Sequence, residues 1–513
     1  MLILWENLLV RVFLLEVYNI LTDILVRAGL DVTCLMLPLE HDLKITGTKL
    51  AKVITLEDNK DAVESSKQFD EFKSSLWVAN TNNPLNFLKM SKIFKKLTSS
   101  MAHHVLSNET LIEYIKKEKF DLGITESLDM FSFGLFKVFN IDAYVSMFAG
   151  GLFSSHYKNF GLAYPVSQVP TIHAGFGDHE MDLFGNRFKN FVSYHLTEIL
   201  SGKMTALHQD IFDEKYGKGF VDIEQQFRDS SFHISNADEF VDFTTPRIGK
   251  IVQVGGFSIE KAKPVSEEWA TILRKRKYNI LVSFGTNCKS VDMPLSVKTA
   301  FLETFAAFPD VTFIWKYENP KDGTAKNLPN VYLSEYLPQT DILADDLLTA
   351  FITHGGLNSI SEAAHTGKKL LVIPLFADQY RNSKIAEKIG FGITLYKDEL
   401  VTHKLSASVK KLLEDKDLAR NSKRIGDMIR NRPYNSTQLF INSVEFAAKF
   451  GKLPHLNMQG QSLYWFQFQM FDIWAVILFT LALVIFIIGF IIVKVFRKCF
   501  GKKVVVSIEK KSD

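Results

Sequence analysis

The sequence predicts an α/β fold with two Rossmann-like domains and one apolar helix near its C-terminal end. Short apolar stretches of strand length alternate with helical patterns in both halves of the chain, which is typical of parallel sheets covered by helices. A chain of 513 residues is long enough for two or three domains. Ile473 to Val493 contains no charged residue and would be about 31 Å long as a helix, enough to cross a bilayer.

Composition excludes several classes of protein. The net charge of +3 is close to balance, so nothing indicates nucleic-acid binding. The three cysteines, Cys34, Cys288 and Cys499, provide neither a disulfide framework nor the spacing of a metal site, and we expect no metal. The 43 phenylalanines suit an apolar binding pocket, although core packing accounts for most of them.

The first residues are unusual. Met1 to Ile20 is apolar but interrupted by Glu6, Arg11 and Glu16, and it has neither a basic start nor a small-residue cleavage site. It therefore does not predict a signal peptide. Ile20 to Pro38 predicts a helix, a turn at Gly29 and a strand.

Strands and helices continue to alternate through the N-terminal half. Phe120 to Thr125 predicts a short strand that ends at Glu126, and Ile141 to Met147 predicts the next one. Gly150 to Gly185 is rich in glycine, proline and aromatic residues, and so long a loop usually binds a ligand. Its three histidines, His156, His173 and His179, do not have the spacing of metal ligands.

The same alternation predicts the domain boundaries. We place an N-terminal domain at residues 1–250, a linker at 251–277 and a C-terminal domain at 278–450. The C-terminal domain begins with strand Tyr278 to Phe284, which is followed by the tight turn Gly285-Thr286, and it runs to a helix near His403 to Glu414.

The most informative stretch runs from Tyr336 to Glu387. At its centre the apolar strand Ala350 to Thr353 is followed by His354, Gly355 and Gly356, and then by a helix. Backbone N–H groups at the start of a helix, together with the helix dipole, form a natural phosphate site. Asn358 and Glu362 lie four residues apart on one face of this helix, so that one side chain can donate to phosphate while the other accepts from sugar hydroxyls.

A second loop belongs to the same site. Strand Leu370 to Ile373 ends at Pro374, and Asp378-Gln379 follows in its loop. Because ligands of doubly wound sheets bind outside the carboxyl ends of the strands, we expect both loops to face one crevice.

This stretch resembles the signature of the UDP-glycosyltransferases, which include the animal UDP-glucuronosyltransferases. The resemblance implies a GT-B arrangement, in which two Rossmann-like domains face a cleft. It also implies that Gln339 bonds the uracil edge, that His354 and Asn358 bind the diphosphate, and that Glu362 binds the ribose. Asp378 and Gln379 would hold the transferred sugar.

The resemblance implies further donor-site positions. Tyr336 stands where the family usually has Trp or Phe stacked on uracil, and a Tyr ring stacks as well. Gly355, Gly356 and Ser359 belong to the donor-binding set. Ser283, Gly285 and Thr286 would lie beside the donor phosphates and the reacting sugar carbon.

The implied reaction transfers glucuronate or glucose from a UDP-sugar to a small lipophilic acceptor, with inversion, no metal and no cofactor besides the UDP-sugar co-substrate. We assign the loop Gly150 to Gly185 to acceptor binding. Glu126 would orient the catalytic base. In the family a first strand and a loop carrying the base histidine precede the first helix, whereas the first histidine here is His41.

The missing histidine leaves two interpretations. Either the first strand and its loop are missing or replaced at the start of the chain, or the protein lacks the usual base. In the second case it is a catalytically impaired UDP-sugar-binding membrane protein that partners an active relative. His156 and His173 are the next candidates for the base. Homo- or hetero-oligomers with related transferases are expected.

The C-terminal end predicts a type I membrane anchor. Aromatic side chains in residues 451–472 form a belt before the span at 473–493, and the tail 494–513 is basic. The positive-inside rule places this tail in the cytosol and the bulk of the chain in the lumen. Lys510-Lys511 resembles a dilysine retrieval signal, which predicts the endoplasmic reticulum membrane. The sequons at Asn108 and Asn435 predict a glycoprotein.

Overall fold

A computed structural model describes most of the chain. The described residues are 1–5, 20–36, 48–56, 64, 67–68, 71, 73–78, 84–128, 130–172, 174–259 and 261–501. His41, His173 and the tail lysines Lys510 and Lys511 lie outside them. The chain divides into two compact units, Met1–Asn457 and Met458–Asp513.

The N-terminal half of the first unit is built on a parallel sheet. In the described residues this sheet has seven strands in the spatial order β3-β2-β1-β4-β5-β6-β7. The strands are β1 (Leu2–Trp5), β2 (Thr33–Met36), β3 (Lys52–Thr55), β4 (Gly123–Glu126), β5 (Tyr144–Phe148), β6 (His233–Ser235) and β7 (Ile251–Gln253).

The expectation that the first strand is missing is wrong. Leu2–Trp5 forms β1, which pairs with β2 on one side and β4 on the other. Leu2 and Leu4 belong to one core cluster and Ile3 to another, so both faces of the strand are buried. A strand buried on both faces is a plain apolar run without alternation, and four residues are too few to reveal a period.

Helices cover both faces of this sheet. In the N-terminal half they span residues 20–27, Pro84–Ser107, Glu109–Glu118, Phe131–Val138, Ser154–Asn159, Phe184–Tyr216 and Ile223–Arg228. The long helix Phe184–Tyr216 leaves a row of large apolar side chains exposed on one face: Phe184, Phe188, Phe191, Val192, Leu196 and Ile199. We call this row the apolar stripe.

The C-terminal half has a second parallel sheet. Its six strands, counted over the described residues, follow the order β10-β9-β8-β11-β12-β13. They are β8 (Tyr278–Ser283), β9 (Val311–Lys316), β10 (Val331–Ser334), β11 (Ala350–Thr353), β12 (Lys369–Val372) and β13 (Gly392–Thr394). This doubly wound order reverses direction between β8 and β11, where such sheets bind ligands.

The helices of the C-terminal half follow the predicted alternation. They span Glu267–Leu273, Leu295–Ala306, Gln339–Ala344, Leu357–Thr366, Gln379–Ile389, Thr402–Glu414, Lys416–Arg430 and Ser436–Phe450. The predicted helix near His403 to Glu414 corresponds to Thr402–Glu414.

The boundary predicted at residue 450 needs a correction. Helix Ser436–Phe450 packs on the N-terminal sheet, since Phe440 and Val444 share a buried cluster with Ile3 of β1. Arg432, just before this helix, fixes the point where the chain returns to the N-terminal sheet. Its guanidinium lies 2.6 Å from the Asp238 carboxylate and donates to the Gly255 carbonyl at 2.9 Å. The helix therefore belongs to the N-terminal half, although it follows the C-terminal sheet in sequence.

The second unit contains the predicted span. Its helices are Trp465–Phe468 and Phe471–Phe500, and the longer one includes all of residues 473–493. By length and composition it is the one helix of the described residues that fits a membrane anchor.

We predict that Phe440→Ala lowers the free energy of unfolding by about 3–5 kcal/mol, because it opens a cavity between helix Ser436–Phe450 and the N-terminal sheet. Phe440 is fully buried and its ring lies 5.1 Å from that of Phe257. The matched control on the same helix is Phe446→Ala, since Phe446 is 45% exposed and should cost much less. Denaturant unfolding of both variants measures the difference, and equal losses would contradict the assignment of this helix.

Candidate functional site

The site lies where β8 and β11 end side by side. Ser283 and Thr353 are register partners, so the turns that follow them are neighbours. Gly285 has φ +77°, and a Cβ on it would lie 2.8 Å from Cε1 of His354. A Cβ on Gly356 would lie 2.7 Å from Nε2 of the same ring. Both glycines are therefore required by the close approach of backbone to the imidazole.

His354 is neutral in this setting. Burial, with the positive charge of Lys316 nearby, lowers the pKa of His354 to about 4. The Lys316 ammonium donates to the Gly285 carbonyl at 2.9 Å. Lys316 is the last residue of β9, the strand next to β8, and sequence analysis missed it. Its position at the carboxyl end of a neighbouring strand was the signal that would have found it.

The helix after the glycines brings four polar side chains together. The Glu362 carboxylate accepts from Nε2 of Gln339 at 2.5 Å and from Oγ1 of Thr340 at 2.6 Å. The same Gln339 nitrogen lies 3.5 Å from Oγ of Ser359. The predicted residues Gln339, Ser359 and Glu362 are thus in one cluster, to which the structure adds Thr340.

Other predicted donor-site residues lie around this cluster. Asn358 is in the first turn of helix Leu357–Thr366, which begins directly after Gly356. Tyr336 is 78% exposed, so its ring face is open to a stacking partner. Thr286 lies in the turn after β8. Each of the three residues follows the carboxyl end of a strand of the C-terminal sheet.

The loop carrying Asp378 and Gln379 is held to the same edge. The Gln379 side-chain carbonyl accepts from the backbone N–H groups of Leu375, at 2.8 Å, and Phe376, at 3.1 Å. Asn382 donates to both the Asp378 carboxylate, at 2.8 Å, and the Gly355 carbonyl, at 3.0 Å. Gln379 thus shapes its own loop, and Asn382 ties that loop to the glycine turn.

This loop also has unusual electrostatics and backbone geometry. Burial raises the pKa of Asp378. The preceding residue, Ala377, has φ +53°, a left-handed conformation that a residue with a Cβ rarely adopts. Strain of this kind persists where the surrounding contacts fix the chain, and it is concentrated at functional sites.

The two halves of the first unit meet beside this loop. The Arg381 guanidinium lies 2.6 Å from the Asp242 carboxylate, with both side chains 9% exposed, and it stacks on the Phe243 ring at 4.8 Å. Asp242 and Phe243 belong to the N-terminal half. Sequence analysis missed this ion pair because no local pattern connects two residues so far apart in the chain.

Glu126 is the site residue predicted on the N-terminal half. It ends β4, and its carboxylate accepts from the backbone N–H groups of Ser127 at 2.8 Å, Leu128 at 3.2 Å and Ala149 at 3.4 Å. Ala149 directly follows β5, so Glu126 lies at the carboxyl edge of the N-terminal sheet. These three hydrogen bonds hold the Glu126 carboxylate at the ends of the two strands.

His156 contacts Ser127, the residue after Glu126, and both of its ring nitrogens are engaged. Its Nδ1 accepts from the Phe153 N–H at 3.1 Å, so the neutral ring carries its proton on Nε2 and donates it to Oγ of Ser127, also at 3.1 Å. Burial lowers the pKa of His156 to about 4. Neither ring nitrogen is available to accept a proton in this arrangement.

The chain resembles a known protein family over nearly its whole length. The family model described as UDP-glucoronosyl and UDP-glucosyl transferase matches residues 13–506. Human UDP-glucuronosyltransferase 1A8 is 26% identical over 463 residues, which cover 88% of this chain and 82% of that protein. The putative UDP-glucuronosyltransferase ugt-55 of Caenorhabditis elegans is 30% identical over 382 residues, 72% of this chain and 73% of its own length.

Solved structures share the fold. UGT2 of Phytolacca americana, complexed with UDP-2fluoro-glucose and pterostilbene, superposes with a TM-score of 0.55 at 13% identity, covering 87% of this chain and 99% of its own. The glycotransferase of kitacinnamycin gives a TM-score of 0.56 at 14% identity, covering 88% of this chain and 97% of its own. These neighbours are GT-B glycosyltransferases, so the predicted fold class is confirmed.

We predict that the free energy of unfolding falls as the pH is lowered from about 6.5 to about 4. Unfolded histidine binds a proton near its ordinary pKa, whereas His354 and His156 stay neutral in the folded protein down to a pKa of about 4. Protons therefore favour the unfolded state in this window, by up to about 1.4 kcal/mol per pH unit and histidine.

Denaturant unfolding as a function of pH tests this prediction. His354→Asn should make the pH dependence shallower by the contribution of one proton. The exposed His455 provides the control variant, His455→Asn, which should leave the slope unchanged. A slope that His354→Asn does not alter would rule out the depressed pKa.

Proposed function

Because the chain belongs to the UDP-glucuronosyl and UDP-glucosyl transferase family, we propose that it transfers glucuronate or glucose from a UDP-sugar to a small lipophilic acceptor. The observation that carries this proposal is the cluster of Glu362, Gln339 and Thr340 beside the glycine turn at His354. This cluster lies at the point where a doubly wound sheet binds nucleotides.

The donor occupies the edge of the C-terminal sheet in this proposal. Its diphosphate meets the first amides of helix Leu357–Thr366 together with Asn358, His354 and the ammonium of Lys316. The ribose hydroxyls donate to Glu362, which then shares its oxygens between the ribose and the side chains that already donate to it. Uracil stacks on Tyr336 and bonds Gln339.

The transferred sugar lies between the two loops. Its hydroxyls contact Asp378 and Gln379, while its anomeric carbon lies near Gly285 and Thr286. The acceptor oxygen attacks that carbon directly, its proton goes to a base, and UDP leaves from the opposite side, so the configuration inverts. Charge on the departing diphosphate is met by helix amides and Lys316, and the mechanism therefore uses no metal.

No histidine of the described residues is assigned as the base in this mechanism. In the family the base lies in the loop after the first strand. Here that loop falls within residues 6–19, which contain no histidine and lie outside the described residues. Glu126 is the carboxylate that we propose for the N-terminal half of the site. Both nitrogens of His156 are engaged. This supports the second candidate function, a UDP-sugar-binding membrane protein that partners an active relative.

We further propose a type I anchor in the endoplasmic reticulum membrane, with the globular unit lumenal and the basic tail cytosolic. Helix Phe471–Phe500 fits such an anchor. Asn108 and Asn435, the proposed glycosylation sites, are N-caps whose Oδ1 atoms accept from the N–H groups of Leu111 and Gln438. A glycan on Nδ2 leaves that oxygen free to cap. Oligomers with related transferases remain part of the proposal.

Glu362→Ala should weaken UDP binding on the order of 10- to 100-fold, because it removes charge-assisted bonds to the ribose and releases Gln339 and Thr340. Isothermal titration of the full chain with UDP measures the change. Glu335→Ala is the matched control, since Glu335 is an exposed carboxylate just before Tyr336. Unchanged affinity in Glu362→Ala would show that the ribose is bound elsewhere.

Transfer to phenols should be much faster than transfer to aliphatic alcohols. A positioned general base contributes about 10²–10⁴ in rate, and a carboxylate such as Glu126 is too weak to activate an alcohol efficiently. Turnover of one phenol and one alcohol by the same preparation, both with saturating UDP-sugar, tests this. Comparable rates on the two acceptors would mean that a stronger base serves the reaction, and binding of UDP-sugar without any transfer would favour the second candidate function.

A further inference from the structure

A short segment of the N-terminal half is buried in the core of the C-terminal half. Leu76 and Trp77 are 0% and 4% exposed, and both belong to the hydrophobic cluster built on the C-terminal sheet, together with Phe284 and Leu375. In the sequence they precede the long helices of the N-terminal half, Pro84–Ser107 and Phe184–Tyr216. The donor half is therefore completed by residues from the other half of the chain.

Trp77 contacts both ends of the turn that follows β8. Its ring packs edge-on against Phe284, with the ring centroids 4.9 Å apart and the planes at 71°. Its indole N–H donates to the Lys289 carbonyl at 3.0 Å. Phe284 directly precedes Gly285 and Thr286, and Lys289 follows the turn three residues after Thr286.

Neighbouring contacts reinforce this arrangement. The Lys397 ammonium donates to the carbonyls of Leu76, at 3.0 Å, and Leu375, at 3.3 Å, and so joins the segment to the start of the Asp378 loop. From the other side, Lys316 holds the Gly285 carbonyl. The turn after β8 is thus held by Lys316 at the Gly285 carbonyl, and by Trp77 at Phe284 before the turn and at Lys289 after it.

We propose that Trp77 is a positioning residue for UDP-sugar binding: it fixes the turn at Gly285 and Thr286 in the conformation that receives the donor. This inference rests on the donor site proposed above. A loop that is already ordered in the free protein loses little conformational entropy when the ligand binds. The affinity for the ligand is therefore higher than with a disordered loop. Without Trp77 the turn loses a hydrogen bond and a ring contact, and donor binding must supply the ordering.

The arrangement also couples the two halves. If the contact of residues 73–78 with the C-terminal core increases donor affinity, then a bound donor stabilises that contact by the same free energy. Donor affinity should therefore respond to a residue that does not touch the donor.

The test compares three variants of the full chain. Trp77→Ala removes the ring and the N–H, Trp77→Phe keeps a ring but removes the N–H, and Val78→Ala is the matched control at an adjacent side chain that is 71% exposed. Titration calorimetry measures UDP affinity, steady-state kinetics with a phenol measure KM for donor and acceptor, and thermal unfolding measures folding.

Trp77→Ala should weaken UDP binding and raise the donor KM on the order of 10-fold, the loss expected for one hydrogen bond and one aromatic contact. Trp77→Phe should lie between Trp77→Ala and the wild type, and the acceptor KM should stay unchanged in both. A role in folding alone would lower the unfolding temperature and the active fraction without changing the donor KM, and that result would overturn the inference.

The outcomes separate this inference from the proposed function. If the wild type binds UDP and both Trp77 variants bind it equally well, the positioning role is wrong while the donor site stands. If Trp77→Ala does not fold, the donor KM of Trp77→Phe decides. A wild-type protein that binds no UDP would overturn the donor site and this inference with it.

Discussion

The imidazole of His354 lies between two glycines, and the geometry of the proposed donor edge depends on that contact. A Cβ at Gly285 or Gly356 would come within 3 Å of the ring. Because Gly285 has no Cβ, the turn after β8 approaches the imidazole in the turn after β11 closely. Lys316 then reaches Gly285, and Asn382 reaches Gly355, so four strand ends form one surface. A side chain at Gly285 would press on the imidazole from the neighbouring turn, and one at Gly356 would press on it from within its own turn.

The two halves of the globular unit are not independent modules. Leu76 and Trp77 of the first half pack in the core of the second, whereas helix Ser436–Phe450, which follows the C-terminal sheet in sequence, packs on the sheet of the first half. The buried pair of Arg381 and Asp242 adds a polar contact beside the Asp378 loop. Removing either partner would leave a charge buried without compensation, which costs more than the pair contributes. A substitution in one half therefore changes packing in the other.

Sequence reasoning succeeded where the signal was local. The step from an apolar strand through His354 and two glycines to a helix is a continuous pattern, and the structure contains the predicted strand and helix at Ala350–Thr353 and Leu357–Thr366. It failed where the determinant was a contact between distant residues, as with Arg381 and Asp242, or Thr340 and Glu362. It also failed at β1, because a four-residue strand buried on both faces has no period to detect. Trp77 gave no signal, since its burial partners lie in the other half.

The apolar stripe on helix Phe184–Tyr216 has a practical consequence for anyone purifying the protein. Six large apolar side chains there are between 49% and 75% exposed, and they belong to the globular unit, not to the anchor helix. A patch of this kind promotes self-association in water. Cutting the chain after residue 457 would remove the apolar C-terminal helix and leave the stripe, so the truncated protein would still require detergent or a surface substitution such as Phe188→Lys to stay dispersed.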